Sequence, residues 1–87
     1  MIERQYDNPN KVYVTVEATF KSDGKLIPTA FFWENGRRYE IDRVTDVCRA
    51  ASLKAGGIGM RYTCIVQGHQ TYLFYEESRW FMERRGA

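Results

Sequence analysis

The stretch Val12-Tyr13-Val14-Thr15-Val16-Glu17-Ala18-Thr19-Phe20 decides the fold. In an extended chain Val12, Val14, Val16, Ala18 and Phe20 share one side, and Tyr13, Thr15, Glu17 and Thr19 share the other. Alternation this strict, carried by β-branched residues, predicts a strand with one buried face. Asp23-Gly24 follows as a tight turn. Leu26 to Glu34 reads as a second strand. Pro28, which lacks an N–H, marks an edge or a bulge near its start. Asn35-Gly36 is a second hairpin signal, and Arg37 to about Val47 reads as a third strand.

The second half repeats the pattern. Ile58 to Gln67, Gln70 to Glu76 and Arg79 to Glu83 read as strands, separated by Gly68-His69 and Glu77-Ser78. A two-residue Gly68-His69 turn would set Tyr62 opposite Tyr75, Cys64 opposite Leu73, and Arg61 opposite Glu76 as a charge pair. Across the last turn Tyr75 would meet Trp80 and Leu73 would meet Met82. Cys48 to Gly57 fits either a short helix capped by Thr45, running through Leu53 and stopped by Gly56, or an extended strand end and a loop; loop, with room for one helical turn, is the preferred reading. Met1 to Asn10 reads as a loose leader ended by Asn8-Pro9, and residues 85–87 as a frayed tail, leaving one domain over 11–84.

Register adds a sharper expectation. With plain two-residue loops at both early turns, Val16 faces Phe31, while Phe32 faces Tyr39 and Ala30 faces Ile41. The apolar sides of strands one and three then lie on opposite faces of strand two. A slip of one residue swaps faces, so a single bulge repairs the conflict. A three-residue loop ending in a left-handed glycine supplies one, and Gly24 and Gly36 both qualify. If Gly24 carries it, Phe32, Tyr39 and Ile41 go inward and Phe31 and Trp33 lie outside with Tyr13 and Arg38. If Gly36 carries it, Phe31 and Trp33 go inward. In the second half Met60, Tyr62, Cys64, Val66, Leu73, Tyr75, Trp80 and Met82 supply one face. Two meanders with one apolar face each bury one another. The expected fold is therefore all-β: about six antiparallel strands in a meander, forming a strongly bent sheet or a small, partly open barrel.

Composition agrees. The chain has 87 residues, too few for two cores, and its 44% hydrophobic and 15% aromatic content is that of a folded protein. No apolar run approaches about 18 residues, which excludes a transmembrane helix. The polar leader lacks the apolar stretch of a signal peptide, so the expected location is the cytoplasm, with Cys48 and Cys64 as free thiols. Two cysteines and one histidine fall short of a structural zinc site, and no cofactor motif is present. The net charge is +2. Nine of the 13 basic residues are arginine, which stacks on aromatic planes and forks onto phosphate better than lysine.

One resemblance is carried by three stretches: Pro28-Thr-Ala-Phe-Phe-Trp-Glu-Asn-Gly-Arg-Arg-Tyr-Glu-Ile-Asp-Arg-Val44; Arg49-Ala-Ala-Ser-Leu-Lys-Ala-Gly-Gly57 with Arg61-Tyr-Thr-Cys64; and Tyr72-Leu-Phe-Tyr-Glu-Glu77 with Arg79-Trp-Phe81. From about Val12 to Glu83 the chain resembles a family of small bacterial proteins of unknown function. The resemblance implies a β-rich domain and brings no catalytic or binding residues with it.

The sequence offers two candidate sites. Phe31, Trp33, Arg37, Arg38 and Arg43 gather on one hairpin, where aromatic faces could stack bases and arginines could meet a phosphate backbone. The competing reading puts the aromatics in the core and the arginines in water, with Glu34, Glu40 and Asp42 diluting the field. Lys54, Gly56 and Gly57 have the makings of an anion nest, but lack the Gly-Lys-Ser/Thr end of a P-loop. A turn between strands explains the same glycines. Cys64 alternates with core residues and His69 falls at a turn, so a nucleophile pair is not expected. Glu76 and Glu77 point to opposite faces and cannot share a substrate. The functional expectation is a non-catalytic binding module for single-stranded nucleic acid. The alternative is a protein-interaction module using a sheet face or edge.

Overall fold

A computed structural model describes residues 11–51 and 58–84, and every described segment of regular structure is a strand. The strands are β1 (Lys11–Phe20), β2 (Leu26–Phe32), β3 (Arg38–Glu40), β4 (Arg43–Ala51), β5 (Ile58–Val66), β6 (His69–Glu76) and β7 (Arg79–Glu83). All neighbours pair antiparallel in one sheet of order β3-β2-β1-β7-β6-β5-β4. The two edge strands, β3 and β4, are consecutive in sequence, so the sheet curls into a half-barrel. The expected bent or partly open barrel is thus the observed fold, with seven strands in place of six.

The extra strand comes from dividing the expected third one at Ile41-Asp42. Ile41 N donates to Thr29 O of β2 at 2.9 Å, and the next amide, Asp42 N, donates to Ile65 O of β5 at 2.8 Å. Two successive N–H groups thus bond to opposite ends of the curled sheet, and the chain changes partners there.

Both early turns are bulged, not one. In the first, Lys21 N donates to Lys25 O and Gly24 N to Lys21 O; in the second, Trp33 N donates to Arg37 O and Gly36 N to Trp33 O. Each is a three-residue loop ending in a left-handed glycine, Gly24 at φ 92° and Gly36 at φ 85°. Asp23 Oδ1 and Asn35 Oδ1 each accept the N–H two residues on, at 3.0 and 2.9 Å. The first shift is undone within β2. Ala18 pairs with Pro28 but Glu17 pairs with Ala30, leaving Thr29 as an extra residue. One net shift remains, at Gly36, so Val16 faces Phe31 and Phe31 faces Tyr39. Phe31 and Trp33 accordingly go inward and Phe32 outward.

Two other expectations are corrected. The segment from Cys48 to Gly57 begins as strand, not loop, because β4 continues pairing with β5 as far as Ala51–Ile58; residues 52–57 lie outside the described residues, as do the leader 1–10 and the tail 85–87. The β5–β6 turn is Gln67-Gly68, not Gly68-His69, with Gln67 at φ 52° and Gly68 at φ 79°. The register moves by two, so every inward residue stays inward. Tyr62 now faces Leu73, and Arg61 faces Phe74 instead of Glu76. The last turn is as expected, with Tyr75 opposite Trp80.

Inside the curl lie Phe31, Tyr62, Cys64, Val66, Leu73 and Met82, flanked by Val14, Val16, Trp33, Tyr39, Met60, Tyr75 and Trp80 among others. Rings pack at both ends: Phe31 stacks on Tyr39 at 5.3 Å, and Trp80 sits between Tyr62 and Tyr75 at 5.3 and 4.7 Å. One polar tie crosses the interior. Tyr62 Oη donates to Leu26 O at 2.7 Å, joining β5 to the start of β2. Replacing Tyr62 by Phe removes the donor and leaves that carbonyl short of a partner. We expect Tyr62→Phe to lower unfolding free energy by about 1–2 kcal/mol. Tyr75→Phe serves as the comparison. Urea midpoints read both, and equal values would show that the Leu26 bond adds nothing.

Candidate nucleic-acid interface

The five residues singled out on the β2–β3 hairpin do not form one surface. Phe31 is buried, and Trp33 is half-buried against the core. Arg37 lies over the Tyr39 ring at 5.4 Å. Arg38 is on the outer face, where it reaches across β2 to Glu17 at 2.8 Å and also lies 3.8 Å from Glu40. The hydrogen bond to Glu17 holds the Arg38 guanidinium above its ordinary pKa. Ala30, directly between Glu17 and Glu40, leaves room for the bridge to lie flat. Arg43 is exposed at the start of β4, at the other edge of the sheet. Lys54, Gly56 and Gly57 lie outside the described residues.

The structure assembles a different surface. Inward residues alternate with outward ones, and on the outside the register lines up Tyr13 (β1), Phe81 (β7), Phe74 (β6), Arg61 (β5) and Cys48 (β4) in one cross-strand row. Phe81 stacks on Phe74 at 5.0 Å and 6°, and meets Tyr13 edge-on at 5.9 Å. Tyr72, two residues from Phe74, lies on the same face. Tyr13 and Tyr72 are 44% and 42% exposed, whereas Phe74 is half-buried and Phe81 is buried beneath its neighbours, so Tyr13 and Tyr72 are the rings that meet solvent.

Each end of this aromatic strip carries cations. Arg79 rests on the Tyr13 ring at 3.5 Å; Lys11 Nζ is 4.3 Å from the Phe81 centroid; Arg61 lies over Tyr72 at 4.8 Å. Among the described residues, none of these three cations has a carboxylate within ion-pair distance. Arg61 Nε is buried and has no hydrogen-bond partner among them. Such contacts are each worth about 0.5–1 kcal/mol at exposed sites. They also hold the positive groups at fixed places over an apolar strip.

Sequence reasoning missed this row because it followed the inward face. A signal was present: in Tyr72-Leu73-Phe74-Tyr75 both phases of the alternation are aromatic or apolar, so one phase must remain outside. Beside the row, the β6–β7 ladder ends at Phe74–Phe81. Beyond that pair an open groove of about 900 Å³ leads toward Trp33 and Tyr39.

The chain matches no family model, no curated protein and no solved structure. Among the described residues no group of His, Cys, Asp and Glu is placed to hold a metal ion, and no helix is long and apolar enough to cross a membrane. His69 is exposed at the start of β6.

Cys64 is fully buried, and burial pushes its thiol from 9.0 to about 11. It stays protonated at neutral pH and is a poor nucleophile. Burial raises the Tyr62 phenol too. The folded state therefore holds these protons more tightly than the unfolded chain. Stability is fully present below the unfolded thiol's pKa and falls as pH rises from 9.0 towards about 11. We expect Cys64 to account for a loss on the order of 2 kcal/mol across that window. Urea midpoints at about pH 8 and about pH 10.5 read it, and Cys64→Ala should flatten the slope. An unchanged slope would assign the loss elsewhere.

Proposed function

We propose that this protein is a non-catalytic binding module that lays single-stranded nucleic acid across the outer face of β1, β7, β6 and β5. The observation that carries the reading is the row Tyr13–Phe81–Phe74–Arg61, flanked by Tyr72, with Lys11, Arg79 and Arg61 seated on its rings. Sheets take unpaired bases on aromatic side chains and on arginine planes, and cations beside them meet the phosphates. An Arg79 plane stacked on Tyr13 offers both functions at once. Glu76, Glu83 and Asp46 face the same way and cancel the net field. Stacking, rather than long-range attraction, therefore supplies most of the affinity, which suits binding with little sequence preference. A cytoplasmic setting fits, since both cysteines are free thiols.

A labelled single-stranded 15-mer, titrated by fluorescence anisotropy, tests the reading. Three phosphate contacts predict a log K against log salt slope of about −2. Tyr72→Ala and Arg79→Ala, each checked for retained β circular dichroism, should weaken binding by about 1–3 kcal/mol. Absence of binding at low salt would overturn the proposal.

A second reading has its own observation. Strand β4 is nine residues long and, among the described residues, pairs on one side only, and Val47 on it is 41% exposed. A free edge of this kind accepts a strand from another chain. Light scattering at high concentration distinguishes the two: a dimer whose formation Val47→Lys abolishes, together with no oligonucleotide binding, favours the edge.

A further inference from the structure

We propose that the groove beyond the Phe74–Phe81 pair is a pocket for one unstacked nucleobase of the bound strand. This rests on the reading of the outer face as the nucleic-acid platform, and adds a place where base identity is read.

Continuity comes first. Tyr72 and Phe74 belong to the outer face and also line the groove, so a strand lying on the row reaches the opening without leaving the protein. The β6–β7 ladder stops where the groove starts, which gives a base a way in between the strands.

The lining has the chemistry of a base site. Trp33 and Tyr39 line it with flat rings, and Gln67 and Thr71 add neutral donors and acceptors; the Gln70 amide also lines it, with Nε2 donating to Tyr72 Oη at 3.2 Å and its oxygen left to accept. A glutamine amide presents a donor and an acceptor side by side, the pattern that matches the hydrogen-bonding edge of a base. Charge argues against a phosphate there. Arg84 in the lining is held by Glu34, with Nη2 to Oε1 at 3.0 Å, and Glu83 and His69 line the groove with it. The groove is open and, at about 900 Å³, has ample room for a base with its sugar.

Gln67 holds φ at 52°, as the first position of its two-residue turn requires; Glu77 does the same at 54° in the last turn. The turn sets this backbone, and what Gln67 brings to the groove is its amide.

That backbone also provides a clean test. Gln67→Gly keeps the turn while deleting the amide, so loss of folding does not confuse the result. Gln70→Ala is the second variant. Wild type and both variants are titrated by anisotropy with single-stranded dA, dC and dT 15-mers under one salt condition. The expected result is at least a fivefold spread in Kd among the three oligomers for the wild type, falling below twofold in Gln67→Gly while the weakest oligomer keeps its affinity. Wild-type tryptophan fluorescence, with Trp33 in the groove, should be quenched most by the preferred oligomer. Binding without a spread, or a spread that Gln67→Gly and Gln70→Ala both leave intact, overturns the pocket and leaves the outer-face platform standing. No binding of any oligomer by the wild type, with Tyr72→Ala equally silent, overturns both.

Discussion

At Thr29 strand β2 holds one residue more than its partner, and the Thr29 hydroxyl donates to Glu17 O across the gap at 3.0 Å. The same device recurs at the far edge, where Thr45 is the surplus residue and its hydroxyl donates to Thr63 O at 3.3 Å. These bulges govern what the rest of the molecule can be. Side chains alternate with a period of two, so each surplus residue exchanges inside for outside along everything that follows. The bulge at Thr29 cancels the shift introduced at Gly24 and leaves the one at Gly36. Phe31 consequently stacks on Tyr39 within the curl instead of facing water. Threonine suits the position because its hydroxyl satisfies a carbonyl that the interrupted ladder leaves short of a donor.

Closure follows from the same geometry. Bulges bend and twist a strand, and a seven-stranded sheet bent twice brings β2 close enough to β5 for Ile41 and Asp42 to divide their amides between them. The Tyr62–Leu26 bond then fixes the depth of the curl. A half-barrel this small has a limited interior. Of the 15% aromatic residues in the chain, some pack in the curl and others lie on its outer side. Tyr13 and Tyr72 remain on the outer face around the buried Phe81 and half-buried Phe74, with Lys11, Arg61 and Arg79 over the rings. The cations and the strip are therefore one feature: cationic side chains shield apolar rings from water while keeping their charged ends in it.

Much of this architecture can be read along the chain, and the parts that cannot share a cause. The alternation in Val12–Phe20 gives β1 and, through Val16, its inward side; beyond Val16 the expectation is corrected, because Ala18 is exposed and Phe20 is 76% exposed, and Glu77-Ser78 gives the last register. Ala30-Phe31-Phe32-Trp33 is apolar in both phases, so its inward face is set only by the bulge count, which depends on pairing with β1 and β3. The choice between Gln67-Gly68 and Gly68-His69 moves the register by two and leaves every face unchanged, so hydrophobic patterning is silent on it. The break at Ile41-Asp42 carries no glycine or proline; it exists because two distant strands arrive there together. The hairpin site of Phe31, Trp33, Arg37, Arg38 and Arg43 failed for the same reason. Its members are close in sequence, but alternation and the Glu17 and Glu40 carboxylates disperse them.

The two thiols lie on opposite sides of this sheet and are chemically unequal. Cys64 points into the curl, fully covered, its proton held by burial. Cys48 is half-buried at the end of the outer row, directly opposite Arg61. Of the two thiols Cys48 is the more exposed to a maleimide dye offered to the native protein, and it lies on the outer face. The wild-type chain thus carries its own handle for an environment-sensitive fluorophore, with no engineered cysteine to disturb so thin a core.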